Sequence, residues 1–302
     1  MTQVTMIEVG PRDGFQPIVP FIPTARKIEI IENLYAAGVR RMEAAAFVSP
    51  SAVPQMADAP EILAAAAALP GLDAQVLVPT ARQADRAIAA GARHLVFVVS
   101  VSETHNRNNV RRSPAESVEE YVRLVEHLPG AIRLNVATAF DCPFEGRVSA
   151  DAVFDLLDRL VPLAPSAEIA LCDTTGRATP GQVMRLFGEA AARYPGGPSW
   201  VFHGHDTYGV GAANAFAAYQ ANVRAFDASV GGLGGCPFAP GATGNVATED
   251  LVWMFENMGI ATGIMLDRLV ETAHDVTTIV GGQTGGRVRR ALAAAHTLKT
   301  SE

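Results

Sequence analysis

The sequence predicts one α/β domain, a (β/α)8 TIM barrel with a short C-terminal helical extension. Three observations point there. Short apolar runs alternate eight times with Ala/Leu/Arg/Glu-rich helical patterns between residues 4 and 258. The length, 302 residues, suits a barrel of typically about 250 residues plus additions. No Pro/Gly-rich linker divides the chain, and no GxGxxG follows the first strand, as an open nucleotide-binding sheet would require.

Taken in order, strand 4–9 leads to helix 24–37, strand 41–47 to helix 58–68, and strand 74–78 to helix 80–90. Strand 94–101 is followed by a polar, basic loop and then helix 115–127, and strand 132–140 by helix 150–162. Strand 168–173 precedes helix 180–194, strand 200–205 precedes helix 210–222, and strand 225–230 precedes helix 247–258. Each strand is apolar at nearly every position, as expected of a parallel sheet covered on both faces. Helical patterns at 264–278 and 284–297 form the extension. The chain thus reads as a single domain, 1–302, with the barrel at about 1–260 and the extension at about 261–302.

Composition narrows the function classes. Hydrophobic residues are 49% and charged residues 18%, enough apolar surface for a large core and too little charge for disorder. The net charge of −7 argues against a nucleic-acid partner, which needs a basic face for phosphates. Lys27 and Lys299 are the only lysines, an Arg bias read as genomic habit before function. The three cysteines, Cys142, Cys172 and Cys236, are odd in number and scattered, so a reducing cytoplasm is expected and a disulfide scaffold is not. Cys172, within an apolar strand, reads as structural. The first residues read straight into a strand with no leader pattern, and no apolar run approaches the about 20 residues that span a bilayer.

In such a barrel the chemistry gathers at the C-terminal ends of the strands. Gly10-Pro11-Arg12-Asp13-Gly14 follows the first strand, and Glu43 lies at the end of the second. His203 and His205 are two apart on the seventh strand, so both project to one face. With Asp13 they form an N/O set suited to a divalent cation such as Mg²⁺, Mn²⁺ or Zn²⁺. Asn245 offers an amide oxygen to the same ion; by itself it reads equally as a helix N-cap. Arg12 presents a planar fork to an oxygen that gains negative charge. Glu43 pairs with Arg12 or supports the ligand shell. Cys236 stands among four glycines (Gly231, Gly232, Gly234 and Gly235). That loop reads as a closing lid that delivers a thiol, as a phosphate cradle, or as a plain turn. The loop carrying Asn106 and several arginines either meets an anionic substrate tail or is simply solvated.

The segments GPRDGFQ (10–16), FVSPSAVPQMAD (47–58), HGHDTYG (203–209) and SVGGLGGCPFAPGATGNVATEDLVWM (229–254) resemble the 3-hydroxy-3-methylglutaryl-CoA lyase family. That family belongs to the metal-dependent TIM-barrel lyases, with isopropylmalate and homocitrate synthases as wider relatives. The resemblance runs over nearly the whole chain. It implies Asp13, His203, His205 and Asn245 at a Mg²⁺ or Mn²⁺ site, Arg12 on the substrate thioester, Cys236 as the loop cysteine and Glu43 beside the site. The implied reaction is retro-Claisen cleavage of a 3-hydroxy acyl-CoA with a distal carboxylate, to acetyl-CoA and a 3-oxo acid. His203 or Asp13 takes the hydroxyl proton, Arg12 stabilises the enolate and Cys236 protonates it. A homodimer follows from the same resemblance and from the apolar tail helices, and a place in leucine degradation from the resemblance, while the cytoplasmic location rests on the cysteines and the first residues.

The chain departs from the family pattern on the substrate side. Glu43-Ala44-Ala45-Ala46-Phe47 stands where hydroxyl residues usually precede the Phe. Leu171-Cys172-Asp173-Thr174-Thr175-Gly176-Arg177 stands where these lyases more often have Gly-Asp-Thr-Ile-Gly. Thr104-His105-Asn106 is also unlike the usual loop. Arg177 is an added cation for a differently placed carboxylate, and citramalyl-, methylmalyl- or longer-branched acyl-CoA esters are alternative substrates. A condensing acyltransferase would usually carry a regulatory domain, and only about 45 residues follow the last barrel helix. A barrel that merely binds CoA esters need not keep Arg12, Asp13, His203, His205 and Cys236.

Overall fold

The computed structural model describes residues 3–126, 128, 130–235 and 244–300. In chain order the elements are β1 (Thr5–Glu8), α1 (Thr24–Ala36), β2 (Arg41–Ala46), α2 (Ala59–Ala67), β3 (Asp73–Leu77), α3 (Ala81–Ala89), β4 (His94–Ser100), α4 (Glu103–Val110) and α5 (Pro114–Val125). They continue with β5 (Ala131–Ala137), β6 (Asp141–Cys142), β7 (Gly146–Arg147), α6 (Ala150–Leu160), β8 (Glu168–Asp173), α7 (Pro180–Arg193), β9 (Ser199–Gly204), α8 (Gly211–Gln220) and β10 (Ala225–Ala228). The last helices are α9 (Thr248–Asn257), α10 (Leu266–Val276) and α11 (Val288–Thr300).

Eight strands close into one barrel in the order β1-β10-β9-β8-β5-β4-β3-β2, every neighbouring pair parallel. The predicted fold class is therefore the observed one. The barrel interior is layered by chemistry. At the N-terminal end Arg41 holds Glu168 through two bonds of 2.7 Å and Asp73 at 3.0 Å. Further up, the fully buried Arg133 donates to Asn135, Gln75 and Asp227. A buried guanidinium is tolerable only when its donors are satisfied in this way.

Two local expectations are corrected. β5 stops at Ala137 because Thr138 takes a left-handed φ of 55°, with its amide donating to Thr174 Oγ1. The chain then forms the small antiparallel pair β6–β7, too short for any periodicity to announce. The basic loop after β4 is instead the helix α4. Ser102 caps it by accepting from His105 N, and Arg111 ends it in the left-handed region.

Of the extension, α10 buries Leu269, Ala273 and Val276 and joins α1 through Met265 N to Ala37 O at 2.7 Å. A buried ammonium stiffens the other side of α1: Lys27 Nζ donates to both Asp58 oxygens at 2.9 and 3.0 Å and to the Gln55 carbonyl. Asp58→Ala would leave that charge buried and unpaired. A loss of about 3–5 kcal/mol is expected, read as a lower midpoint in urea denaturation.

Candidate metal centre and active site

Gly10–Gly14 forms a single wide π-turn at the end of β1, with Phe15 N donating to Gly10 O at 2.9 Å. Such turns are frequent at functional sites. This one presents two consecutive side chains, Arg12 and Asp13, at the C-terminal mouth of the barrel. Arg12 Nε donates to Glu43 Oε1 at 2.5 Å and Nη1 to Asp13 Oδ1 at 2.6 Å. The expected pairing of Glu43 with Arg12 is thus formed. Burial alone would lower the Arg12 pKa, but Glu43 and Asp13 outweigh it and raise it, so the guanidinium is permanently charged.

His203 is the last residue but one of β9, and His205 lies just past the strand's end, two residues further on. Asp13, His203 and His205 each offer a ligand atom, all within 4.8 Å of one another. The His203 and His205 Nε2 atoms face each other at 3.4 Å, a separation compatible with two imidazoles on one ion at about 2.1 Å each. Asn245 joins them: its Nδ2 donates to Asp13 Oδ2 at 2.7 Å, while its buried Oδ1 has no donor among the described residues. An orphaned amide oxygen beside a carboxylate and two imidazoles is what a cation would satisfy. The cap reading of Asn245 falls away, because α9 begins at Thr248 with Ala247 at its N-cap. Gly234 permits the close approach. A Cβ there would lie 2.6 Å from Asn245 Nδ2, and its φ is +114°.

The two histidines are electrostatically distinct. Burial lowers the His203 pKa, but the bond from Nδ1 to Asp227 Oδ2 (2.9 Å) and the Asp227 charge outweigh burial and raise it. His205 is pushed down to about 4 by burial and by its neighbour His203. Asp13 is held down at about 2, chiefly by Arg12, against the upward pull of burial. With His203 Nδ1–H committed to Asp227, Nε2 is the atom left for a ligand.

These groups border a cavity of about 390 Å³. Arg12, Asp13, His203 and His205 line one side, and Val48, Val53, Leu77 and Val98 line an apolar wall.

Beneath the site, Glu8 holds three elements at once. Its Oε1 accepts from Gly10 N (2.8 Å) and Val230 N (2.9 Å), and Oε2 accepts from Thr248 Oγ1 (2.7 Å). Burial pushes its pKa up from 4.5 to about 7 despite those donors. A carboxyl raised on folding favours the protonated native state, so its stabilisation is complete below about pH 4.5 and is lost as pH rises to about 7. Glu8→Gln is expected to remove about 3 kcal/mol of that downward slope. Parallel pH series of thermal unfolding for the wild type and the variant check it.

Other expected site residues lie elsewhere. Asn106 is a fully buried residue of α4: Oδ1 accepts from Ser100 N at 2.8 Å, and Nδ2 donates to Arg112 O at 2.9 Å and Ser117 Oγ at 2.8 Å. With its amide saturated, it is a loop anchor outside the cavity lining. Arg177 is half exposed, donating to Tyr208 Oη at 3.1 Å and lying 3.5 Å from Asp141, also outside the lining. Cys236 lies outside the described residues. Conversely, Asp227, Arg133, Asn135 and Cys172 were not singled out as site residues; Cys172, read as structural, lines the cavity.

Fold and site together define a barrel enzyme with a candidate metal centre at the C-terminal ends of its strands. A family model described as HMGL-like matches residues 3–276, and the chain belongs to this family of carbon–carbon lyases. It is 40% identical over 294 residues to (R)-citramalyl-CoA lyase of Chloroflexus aurantiacus, covering 93% of this chain and 92% of that one. It is 39% identical over 292 residues to mitochondrial hydroxymethylglutaryl-CoA lyase of Mus musculus, covering 96% and 89%. Among solved structures, an HMG-CoA lyase from Acinetobacter baumannii in complex with coenzyme A and 3-methylmalate superposes with a TM-score of 0.90 at 40% identity, covering 96% and 95%. The Bacillus subtilis HMG-CoA lyase superposes with a TM-score of 0.91 at 35% identity, covering 97% and 99%. Among the described residues no helix is long and apolar enough to cross a membrane.

Proposed function

We propose that the protein is a metal-dependent retro-Claisen lyase that cleaves a carboxylated 3-hydroxy acyl-CoA of the 3-hydroxy-3-methylglutaryl type, releasing acetyl-CoA and an oxo acid. One observation carries the reading. A single turn delivers Asp13 to the His203–His205 pair and, one residue earlier, turns a charged Arg12 into the same cavity. Asp13, His203, His205 and Asn245 would hold Mg²⁺ or Mn²⁺. When bound, that ion supplies Lewis acidity to the substrate hydroxyl and carboxylate.

The chain's own groups do the rest. The apolar wall excludes water from the acyl group. His203 or Asp13 receives the hydroxyl proton at the cavity edge. The guanidinium of Arg12, oriented by Glu43, donates to the thioester oxygen as it becomes an enolate oxygen, which is where fixed positive charge lowers the barrier. Cys236 is assigned the return of a proton to the enolate carbon. The test is a panel of 3-hydroxy acyl-CoA esters with Mg²⁺ or Mn²⁺, followed by acetyl-CoA release. Release from a carboxylated ester is expected, and cleavage of no member would overturn the assignment. Sedimentation velocity tests the accompanying homodimer.

A further inference from the structure

We infer that Asn135, on the floor of the cavity, is a substrate-binding residue whose Nδ2 donates to the distal carboxylate of the acyl group. The inference rests on the lyase reading above and adds to it a residue that recognises the carboxylate.

The orientation of the Asn135 amide is fixed from below. Its Oδ1 accepts from Arg133 Nε at 2.9 Å, and a guanidinium can only donate. That bond leaves Nδ2 without an acceptor among the described residues, although Asn135 is only 4% exposed and lines the cavity. A buried amide donor that borders a cavity calls for an oxygen from a ligand. Arg133 cannot take that role itself. It is fully buried, is absent from the cavity lining, and gives its other donors to Gln75 and Asp227.

Depth in the barrel decides which part of the substrate reaches this donor. β5 runs towards the mouth, and Ala137, its last residue, also lines the cavity. Asn135 lies on the same face two residues lower, about 7 Å of strand, and Arg133 fills the barrel two residues below that. A cavity of about 390 Å³ has room for an acyl group but not for coenzyme A as well. The coenzyme therefore stays at the mouth, the thioester meets Arg12 there, and the far end of the acyl chain goes down first. The charge at that end is the carboxylate, which loses its hydration on entry and needs a donor in return. Beside Asn135 in register stands Val98 of the apolar wall, so on this side of the floor the amide is the group that can meet an anion.

The same bonds brace the donor against the candidate metal centre. Arg133 Nη2 and His203 Nδ1 both donate to Asp227 Oδ2, while Arg133 Nε holds Asn135. One guanidinium thus sets the amide that meets the carboxylate and, through Asp227, the imidazole of His203. Arg133 is the positioning residue of this unit, and Asn135 is the part that touches substrate.

The test measures KM and kcat for 3-hydroxy-3-methylglutaryl-CoA and citramalyl-CoA with the Mn²⁺-loaded protein. Titration calorimetry gives the dissociation constant of 3-hydroxy-3-methylbutyryl-CoA, which keeps the carbinol carbon and the thioester but has no carboxylate. Asn135→Ala and Asn135→Asp are each expected to raise KM about 10–100-fold for whichever carboxylated ester is cleaved, the range for a hydrogen bond to a charged group, with a smaller change in kcat. The dissociation constant of the ester without a carboxylate is expected to move by no more than about twofold, the scatter of uncoupled groups. Asn135→Asp keeps an acceptor for Arg133 Nε and loses only the donor, so a merely structural role would leave its KM at the wild-type value. If that variant fails to fold, Asn135→Ala still reads the carboxylate dependence. An unchanged KM in the folded variants, or an equal loss for esters with and without the carboxylate, would overturn the inference while the lyase reading stands. Cleavage of neither carboxylated ester by the wild type would overturn both.

Discussion

Arg12→Gln is expected to lower kcat for acyl-CoA cleavage by about 10²–10³-fold, the usual loss when one donor to a developing oxyanion is removed. The same change strips Glu43 of its partner. Glu43 is fully buried, and its Oε2 already lacks a donor among the described residues. Stability should therefore fall by about 3–5 kcal/mol as well, the cost of leaving a buried charge unpaired. The two losses are separable. Arg12→Gln combined with Glu43→Gln should recover most of the denaturation midpoint and none of the turnover. If the double variant regained activity, Arg12 would be a structural partner of Glu43 and nothing more.

Asp227→Asn is expected to weaken Mn²⁺ binding by about 10–100-fold, the range found when the outer partner of a ligating histidine is removed. Asp227 accepts from His203 Nδ1 and from Arg133 on the same oxygen, Oδ2, so the substitution removes the charge both depend on. Titration calorimetry with Mn²⁺ reads the affinity directly, without reference to turnover. An unchanged dissociation constant would remove Asp227 from the metal centre and leave it as a partner for Arg133 alone.

What the sequence revealed followed the range of the interactions. The barrel was legible because each strand is buried on both faces and reads as an apolar run, and because capped helices separate the runs. α4 escaped notice because Glu103–Val110 has no apolar stripe and is held by caps and by the Asn106 side chain. Ser102 followed by Glu103 was the available signal. In the site, Arg12–Asp13 and His203-x-His205 are local patterns and could be read directly. Asp227 and Arg133 act through partners on other strands, which spacing along the chain does not disclose, and Asn135 is tied in through Arg133. Their signal was chemical: a charge or amide inside an otherwise apolar strand, with Arg133 and Asn135 two apart and therefore on one face. Cys172 reads as core from its apolar neighbours, although it is paired with His203 across the strands.

The ends of the barrel carry a consequence for how the molecule comes into being. β1 seals the ring against β10, and Asp13, just beyond β1, meets His203, His205 and Asn245 only once that seam is made. During synthesis the N-terminal ligand must wait for nearly the entire chain to emerge before its partners exist. A nascent chain halted before β9 could therefore not hold the ion through this set. Metal uptake in a refolding experiment would report ring closure itself, a late event dominated by contacts far apart in sequence.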